Sequence, residues 1–113
     1  MIQTVLKIKI FQPRLDELIR ALKSLMVSAR AEHGLMDCKL YQQVENQTEL
    51  CYVEDWQTAD DLETQIRSNR YTRLLALMET AAELPSLEFH TVSRTQGLDY
   101  LQAIRESTGT NDR

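Results

Sequence analysis

Leu50, Tyr52, Glu54 and Trp56 recur at every second position of the segment LCYVEDW, so they share one face of a β-strand, and one of them is a carboxylate. A carboxylate among large apolar side chains must find a cation or hydrogen-bond donors, or keep its proton. Just beyond it, Thr58 with Asp61 three positions on is a helix-start signature. The Thr oxygen accepts from an orphan amide, and the acid favours the positive helix end. Strand, buried charge and capped helix therefore follow one another within residues 50–71, and the chain must turn back there.

The flanking patterns complete the plan. Ile2, Leu6, Ile8 and Ile10 alternate with Gln3, Val5, Lys7 and Lys9, which predicts a first strand closed by Phe11. Pro13 suits a first helical position, and Leu15, Leu18, Ile19, Leu22, Leu25, Met26 and Ala29 then form one apolar helical stripe, with Gly34 as its stop. In residues 35–42 Met36, Cys38 and Leu40 alternate with Asp37 and Lys39 as a second strand. A polar break at Glu45, Asn46 and Gln47 joins it to a third strand over 48–56. With Val44 opposite Thr48, even-numbered positions of both strands share a face, and Cys38 and Cys51 point apart, against a disulfide between them.

A short helix from Thr58 carries Leu62 and Ile66, and a polar step at Arg67-Ser68-Asn69 precedes Tyr71, Leu74, Leu75, Met78, Ala81 and Ala82, a second helical run ended by Pro85. Leu87 and Phe89 alternate with Glu88 and His90 as a fourth strand. Gly97 admits a last helical segment with Leu98, Leu101 and Ile104, and the composition predicts a flexible tail over 107–113. The order strand, helix, strand, strand, helices, strand predicts one α+β domain over 1–106, the ferredoxin-like βαββαβ plan with a four-stranded antiparallel sheet. Both long connections lie on one side, which leaves Val5, Tyr41, Cys51 and Val53 on a bare face. Covering it calls for a homodimer, with residues 97–106 reaching onto the partner.

The net charge is −4 and Lys and Arg are scattered, so an electrostatic footprint for nucleic acid is missing. No run approaches the roughly 20 apolar residues of a membrane span. Two cysteines are too few for a disulfide framework, and Met1 leads directly into strand pattern, so the chain is expected to be cytoplasmic and reduced.

Ser28-Ala29-Arg30-Ala31-Glu32-His33-Gly34 ends the first helix, Leu40-Tyr41 lies in the second strand and Val53-Glu54-Asp55-Trp56 in the third. Leu62 through Tyr71 and Pro85 follow. In this order and spacing the chain resembles the antibiotic biosynthesis monooxygenase family of dimeric α/β-barrel proteins. The resemblance implies the ferredoxin-like fold, dimerisation through sheet faces and a pocket between sheet and helices. Several members oxidise hydroquinones or polycyclic phenols with molecular oxygen and no metal or flavin. Such chemistry needs an apolar pocket, a group to take the phenolic proton and donors to hold the anion.

The resemblance implies Glu54 as base, with Gln65 as its catalytic companion and Tyr52, Trp56, Tyr71 and Leu6 around a small aromatic substrate. Quinol-oxidising relatives often carry His where Gln65 stands. Gln cannot titrate near neutrality, so Gln65 would orient substrate rather than take a proton. The haem-degrading branch needs an axial His, a Trp and a first-strand Asn. Leu75 and Gln65 occupy the first two places and residues 1–11 hold no Asn, so no haem, metal or other cofactor is expected.

Each side chain also has a structural reading. Glu54 can pair with a Lys, an Arg or a backbone amide, and Trp56, Tyr52 and Tyr71 can be core aromatics. Gln65 can reach solvent beside Leu62 and Ile66, His33 can cap a helix, His90 can face away from the pocket, and Cys38 can be a small buried hydrophobe. The alternative function is then a non-catalytic, small-molecule-binding or stress-associated dimer. A protein-interaction module on the acidic face of Asp60, Asp61 and Glu63 has only the charge pattern behind it.

Overall fold

The computed structural model of the chain describes residues 1–107. Strand β1 (Ile2–Lys9) leads through a single 3₁₀ turn at Gln12–Arg14 into helix α1 (Leu15–Ala29), and a hairpin of β2 (Leu35–Gln42) and β3 (Glu49–Trp56) follows. Helices α2 (Ala59–Ile66) and α3 (Asn69–Met78) return the chain to β4 (Ser86–Thr91), and α4 (Leu98–Ser107) comes last. The strands lie in the order β2-β3-β1-β4 with every neighbouring pair antiparallel, the ferredoxin-like arrangement.

Cys38 pairs with Glu54, Leu40 with Tyr52 and Gln42 with Leu50, so the hairpin has the even-to-even register of the pattern. β1 sets Thr4, Leu6 and Ile8 opposite Glu54, Tyr52 and Leu50 on the same face. Leu15, Leu18, Leu22, Leu25 and Ala29 of α1, with Tyr71 and Leu74 of α3, pack down onto it and form the core. Cys38 and Cys51 lie on opposite faces and both are free. The other sheet face carries the half-buried pair Val5 and Val53 beside Cys51 and the exposed Tyr41.

Local departures have physical causes. Met36 was expected on the buried face but is 60% exposed, because the β2–β3 pairing shifts between Leu35 and Asp37 and this irregularity takes Met36 out of the alternation. Helix α1 ends at Ala29, ahead of Gly34, which instead turns the chain into β2 with φ of +87°. A Cβ there would lie 2.2 Å from Asp61 Oδ2, so the turn needs glycine for its backbone and for the close approach of α2. Helix α3 stops at Met78, short of Pro85, and the Ala82 amide donates to the Lys9 carbonyl at 2.8 Å. Its buried stripe includes Leu77 in place of Leu75, which faces out. Ser107 closes α4, and the rest of the tail expected over 107–113 lies outside the described residues.

Candidate functional site

Strand alternation puts a carboxylate on the buried face, and Glu54 is there, only 1% exposed. Its partner is Arg70, 6% exposed, whose Nη2 makes an ion pair with Glu54 Oε2. The Tyr52 hydroxyl donates to the same carboxylate oxygen, and Trp56 Nε1 donates to Oε1 at 3.1 Å. Burying an ion pair strips both groups of water, so the added donors are what make the position tenable.

Helix starts aim the other half of the cluster. Thr58 Oγ1 accepts from the Asp61 amide at 3.1 Å and opens α2, and Ser68 Oγ accepts from the Tyr71 amide at 3.2 Å and opens α3. The second cap puts Arg70 and Leu74, one turn apart, on the core side. Arg70 Nε donates to the Leu25 carbonyl at 3.1 Å, Nη1 to Gln65 Oε1 at 3.2 Å and Nη2 to the Tyr52 hydroxyl at 2.8 Å. One guanidinium thus ties α1, α2 and β3 together.

Gln65 is 2% exposed, and Ile66, expected on the inner face with Leu62, points outward. The rotation of α2 follows from the Gln65 amide, which accepts from Arg70 and donates to Glu32 Oε1. Cys38 Sγ donates to the Tyr52 hydroxyl at 3.2 Å, so a thiol, a phenol and a carboxylate form a continuous buried chain. Leu6 is buried opposite Tyr52 on β1. The Tyr71 hydroxyl is buried without a hydrogen-bond partner, the one such side-chain atom among the described residues. Glu54, Gln65, Tyr52, Trp56, Tyr71 and Leu6 are all interior, and hydrogen bonds link the first four through Arg70.

The charges shape these phenols. Burial, and then the Glu54 charge, raise Tyr52 well above the ordinary tyrosine range, and the same causes push Tyr71 up to about 12 against the opposing pull of Arg70. Burial works against the Arg70 charge, but Glu54 more than offsets it and the guanidinium is held firmly protonated. Burial likewise raises the Cys38 thiol.

Arg70 is not among the residues expected from the sequence, because it stands next to the polar step between two helices. Its signal was available: Arg70, Leu74 and Leu77 stand at i, i+4 and i+7, a stripe whose one cation is the counterpart a buried carboxylate requires.

The model of the antibiotic biosynthesis monooxygenase family matches residues 1–76, from β1 through most of α3. The chain belongs to this family. Among solved structures it is similar to a conserved protein from Methanosarcina mazei Go1, with 26% identity and a TM-score of 0.73 over 79% of this chain and 89% of that one. An antibiotic biosynthesis monooxygenase superposes with a TM-score of 0.73 at 15% identity, over 83% of this chain and 100% of the other. Rv0793 from Mycobacterium tuberculosis does so with a TM-score of 0.75 at 15% identity, over 85% and 98%. At 15% identity the likeness bears on fold alone. Comparison with curated proteins gives no match. In this member of the antibiotic biosynthesis monooxygenase family, the matched segment contains every residue of the buried cluster, Arg70 included. Among the described residues no group of three or more His, Cys, Asp and Glu could hold a metal ion, and no helix is long and apolar enough to cross a membrane.

Proposed function

We propose that the chain is a cofactor-independent monooxygenase that oxidises a hydroquinone or polycyclic phenol with molecular oxygen and works as a cytoplasmic homodimer. The observation that carries this reading is the buried Glu54 carboxylate, set between a fixed cation and two donors, the Tyr52 hydroxyl and the Trp56 indole, inside a monooxygenase-family fold. In the proposed reaction a substrate phenol replaces one donor on Glu54 and gives up its proton to that carboxylate. Arg70 then faces the phenolate and Tyr71 donates its open hydroxyl to it. Gln65 keeps Arg70 in place. The electron-rich anion supplies all four electrons that reduce molecular oxygen in a site shielded from water: one oxygen atom is built into the ring of the quinone product, and the other leaves as water with the proton that Glu54 had taken.

One observation favours the second reading. Glu54 is already committed to Arg70, and the residues lining the two described cavities do not include Glu54, Gln65 or Tyr71. A non-catalytic small-molecule-binding or stress-associated dimer needs no free base. The test is oxygen consumption by purified protein with hydroquinones and polycyclic phenols, against autoxidation controls and Glu54→Gln. Uptake that collapses in Glu54→Gln supports the oxygenase. Uptake equal to the control across the panel, in folded protein, overturns it in favour of the binding dimer.

The homodimer is supported by Val5, Tyr41, Cys51 and Val53 on a sheet face that no element among the described residues covers. A sedimentation mass of one chain at micromolar concentration would remove it.

A further inference from the structure

The buried chain of the candidate site comes to the surface at one place. Glu54 accepts from the Tyr52 hydroxyl, and that hydroxyl accepts from Cys38 Sγ at 3.2 Å. Cys38 is the cross-strand neighbour of Glu54 on the edge strand β2, and with Arg30, Leu35, Met36 and Asp37 it lines a groove of about 310 Å³ beside the end of α1. It is the one buried residue of that lining, 4% exposed, so its thiol closes the groove on the inner side. One thiol and one phenol separate the groove from the carboxylate. The volume stands at the low end of the roughly 300–1,000 Å³ of small-molecule sites, which suits a single substituted aromatic ring.

The irregularity of β2 shapes this groove. Its pairing with β3 shifts between Leu35 and Asp37, and such a shift re-aims the side chains beside it. Met36 is thereby turned out to the rim, where it and Leu35 offer apolar contact to a flat ring. The two charges of the lining are not equally engaged. Asp37 uses both oxygens: Oδ1 accepts from the Cys38 amide at 2.9 Å, and Oδ2 pairs with Lys39 at 3.3 Å. The exposed Arg30 guanidinium has no hydrogen bond or ion pair among the described residues. Its charge reaches the thiol, since burial raises Cys38 and Arg30 is one of the two cations that work against the rise. A planar guanidinium left open beside a ring-sized groove is a fork for a carboxylate. Of the donors on Glu54, the Tyr52 hydroxyl is the one that Cys38 touches, so it is the donor that a phenol arriving from the groove replaces.

We infer that this groove is the mouth of the Glu54 site and selects phenols that carry a carboxylate. Arg30 holds the carboxylate at the rim, Leu35 and Met36 flank the ring, and the phenol hydroxyl passes Cys38 to take the place of Tyr52 on Glu54. The inference rests on the oxygenase reading for the role of Glu54 and adds the route of entry, the displaced donor and the substrate class.

The test compares gentisate, a hydroquinone with a carboxylate on its ring, with hydroquinone itself, by calorimetric titration of the full chain under argon, where no turnover occurs. The carboxylate is expected to tighten binding about fivefold. Arg30→Gln should abolish that preference and leave the affinity for hydroquinone unchanged. Arg20→Gln, which removes an exposed cation of α1 outside the groove, should keep it. Trp56 is the only tryptophan and its indole donates to Glu54, so its emission, corrected for ligand absorbance, should change along the calorimetric curve of both ligands. Equal affinities, a preference that survives Arg30→Gln or is lost equally in Arg20→Gln, an unchanged Trp56 emission, or no binding of either ligand to folded protein overturns the inference. Oxygen uptake that depends on Glu54 but ignores both the carboxylate and Arg30 also overturns it and leaves the oxygenase standing. Arg30-dependent binding that reaches Trp56, with no oxygen uptake in air from either ligand, supports the groove and overturns the oxygenase.

Discussion

Glu54 and Arg70 are joined by an ion pair, Oε2 to Nη2, between β3 and α3, with both side chains removed from solvent. The pair is the hinge of the candidate site: it decides whether Glu54 is open to a substrate or occupied as a structural anchor.

Removing one partner should be far worse than removing both. Arg70→Met leaves a buried carboxylate without its cation, and a loss of about 3–5 kcal/mol is expected. The double variant Glu54→Leu with Arg70→Met removes the charge altogether and should recover most of that loss. Urea denaturation of the singles and the double closes the cycle. Additive losses would show that the two charges act independently.

The two core phenols should behave oppositely. Tyr52→Phe removes a hydroxyl that donates to Glu54 and accepts from Arg70 and Cys38, and should cost about 1.5–3 kcal/mol as a charge-linked hydrogen bond. Tyr71→Phe removes a hydroxyl without a partner and should be neutral or stabilising by about 1 kcal/mol. A loss at Tyr71 equal to that at Tyr52 would mean that its hydroxyl is satisfied in solution. If the oxygenase reading holds, Tyr71→Phe should also lower turnover without lowering stability.

These contrasts bear on what the sequence could reveal. The alternation of Leu50, Tyr52, Glu54 and Trp56 was enough to bury the carboxylate, because strand geometry leaves no other face for it. The hairpin register followed from Val44 and Thr48, and the sheet order from the succession of elements. Helix phase was harder to read. In α2 the apolar pair Leu62 and Ile66 pointed one way, but the Gln65 amide, held between Arg70 and Glu32, turned the helix so that Gln65 is inside. In α3 an apolar count favoured Leu75, whereas the demand of Glu54 for a cation brought Arg70 inward. Both misses are polar interactions between different elements, Gln65 with Glu32 and Arg70 with Glu54, to which hydrophobic periodicity is blind. The irregularity at Met36 likewise depends on β3 and leaves no mark in β2 alone.

Gly34 should tolerate no side chain. Gly34→Ala meets two obstacles, a φ of +87° that costs an L-residue roughly 1–2 kcal/mol and the Asp61 carboxyl in the space of the new Cβ. Asp61→Ala should relieve only part of the second, since Asp61 Cβ would itself lie 2.6 Å from the added atom. Thermal denaturation of the two singles and the double measures this. A Gly34→Ala protein as stable as the parent would mean that the α1–β2 turn adopts another backbone path.

Alkaline pH should destabilise the fold through the same phenols. An unfolded tyrosine ionises near about pH 10, whereas burial and the Glu54 charge push Tyr71 up to about 12 and raise Tyr52 as well. The folded chain therefore keeps protons that the unfolded chain has already released. Stability from these groups is fully present below about pH 10 and falls as the pH climbs towards the folded value, by about 1.4 kcal/mol per pH unit for each phenol. Denaturant midpoints taken from about pH 9 to 12 should drop along that course, and Tyr71→Phe should make the drop shallower by the share of one phenol. Tyrosinate absorbance supplies the independent reading: the signal of Tyr71 should lag behind exposed tyrosines while the chain is folded and appear with unfolding. If both core phenols titrate near the ordinary value in a chain that keeps its native spectrum, Tyr52 and Tyr71 are open to water, and the sealed cluster around Glu54 is not the solution structure.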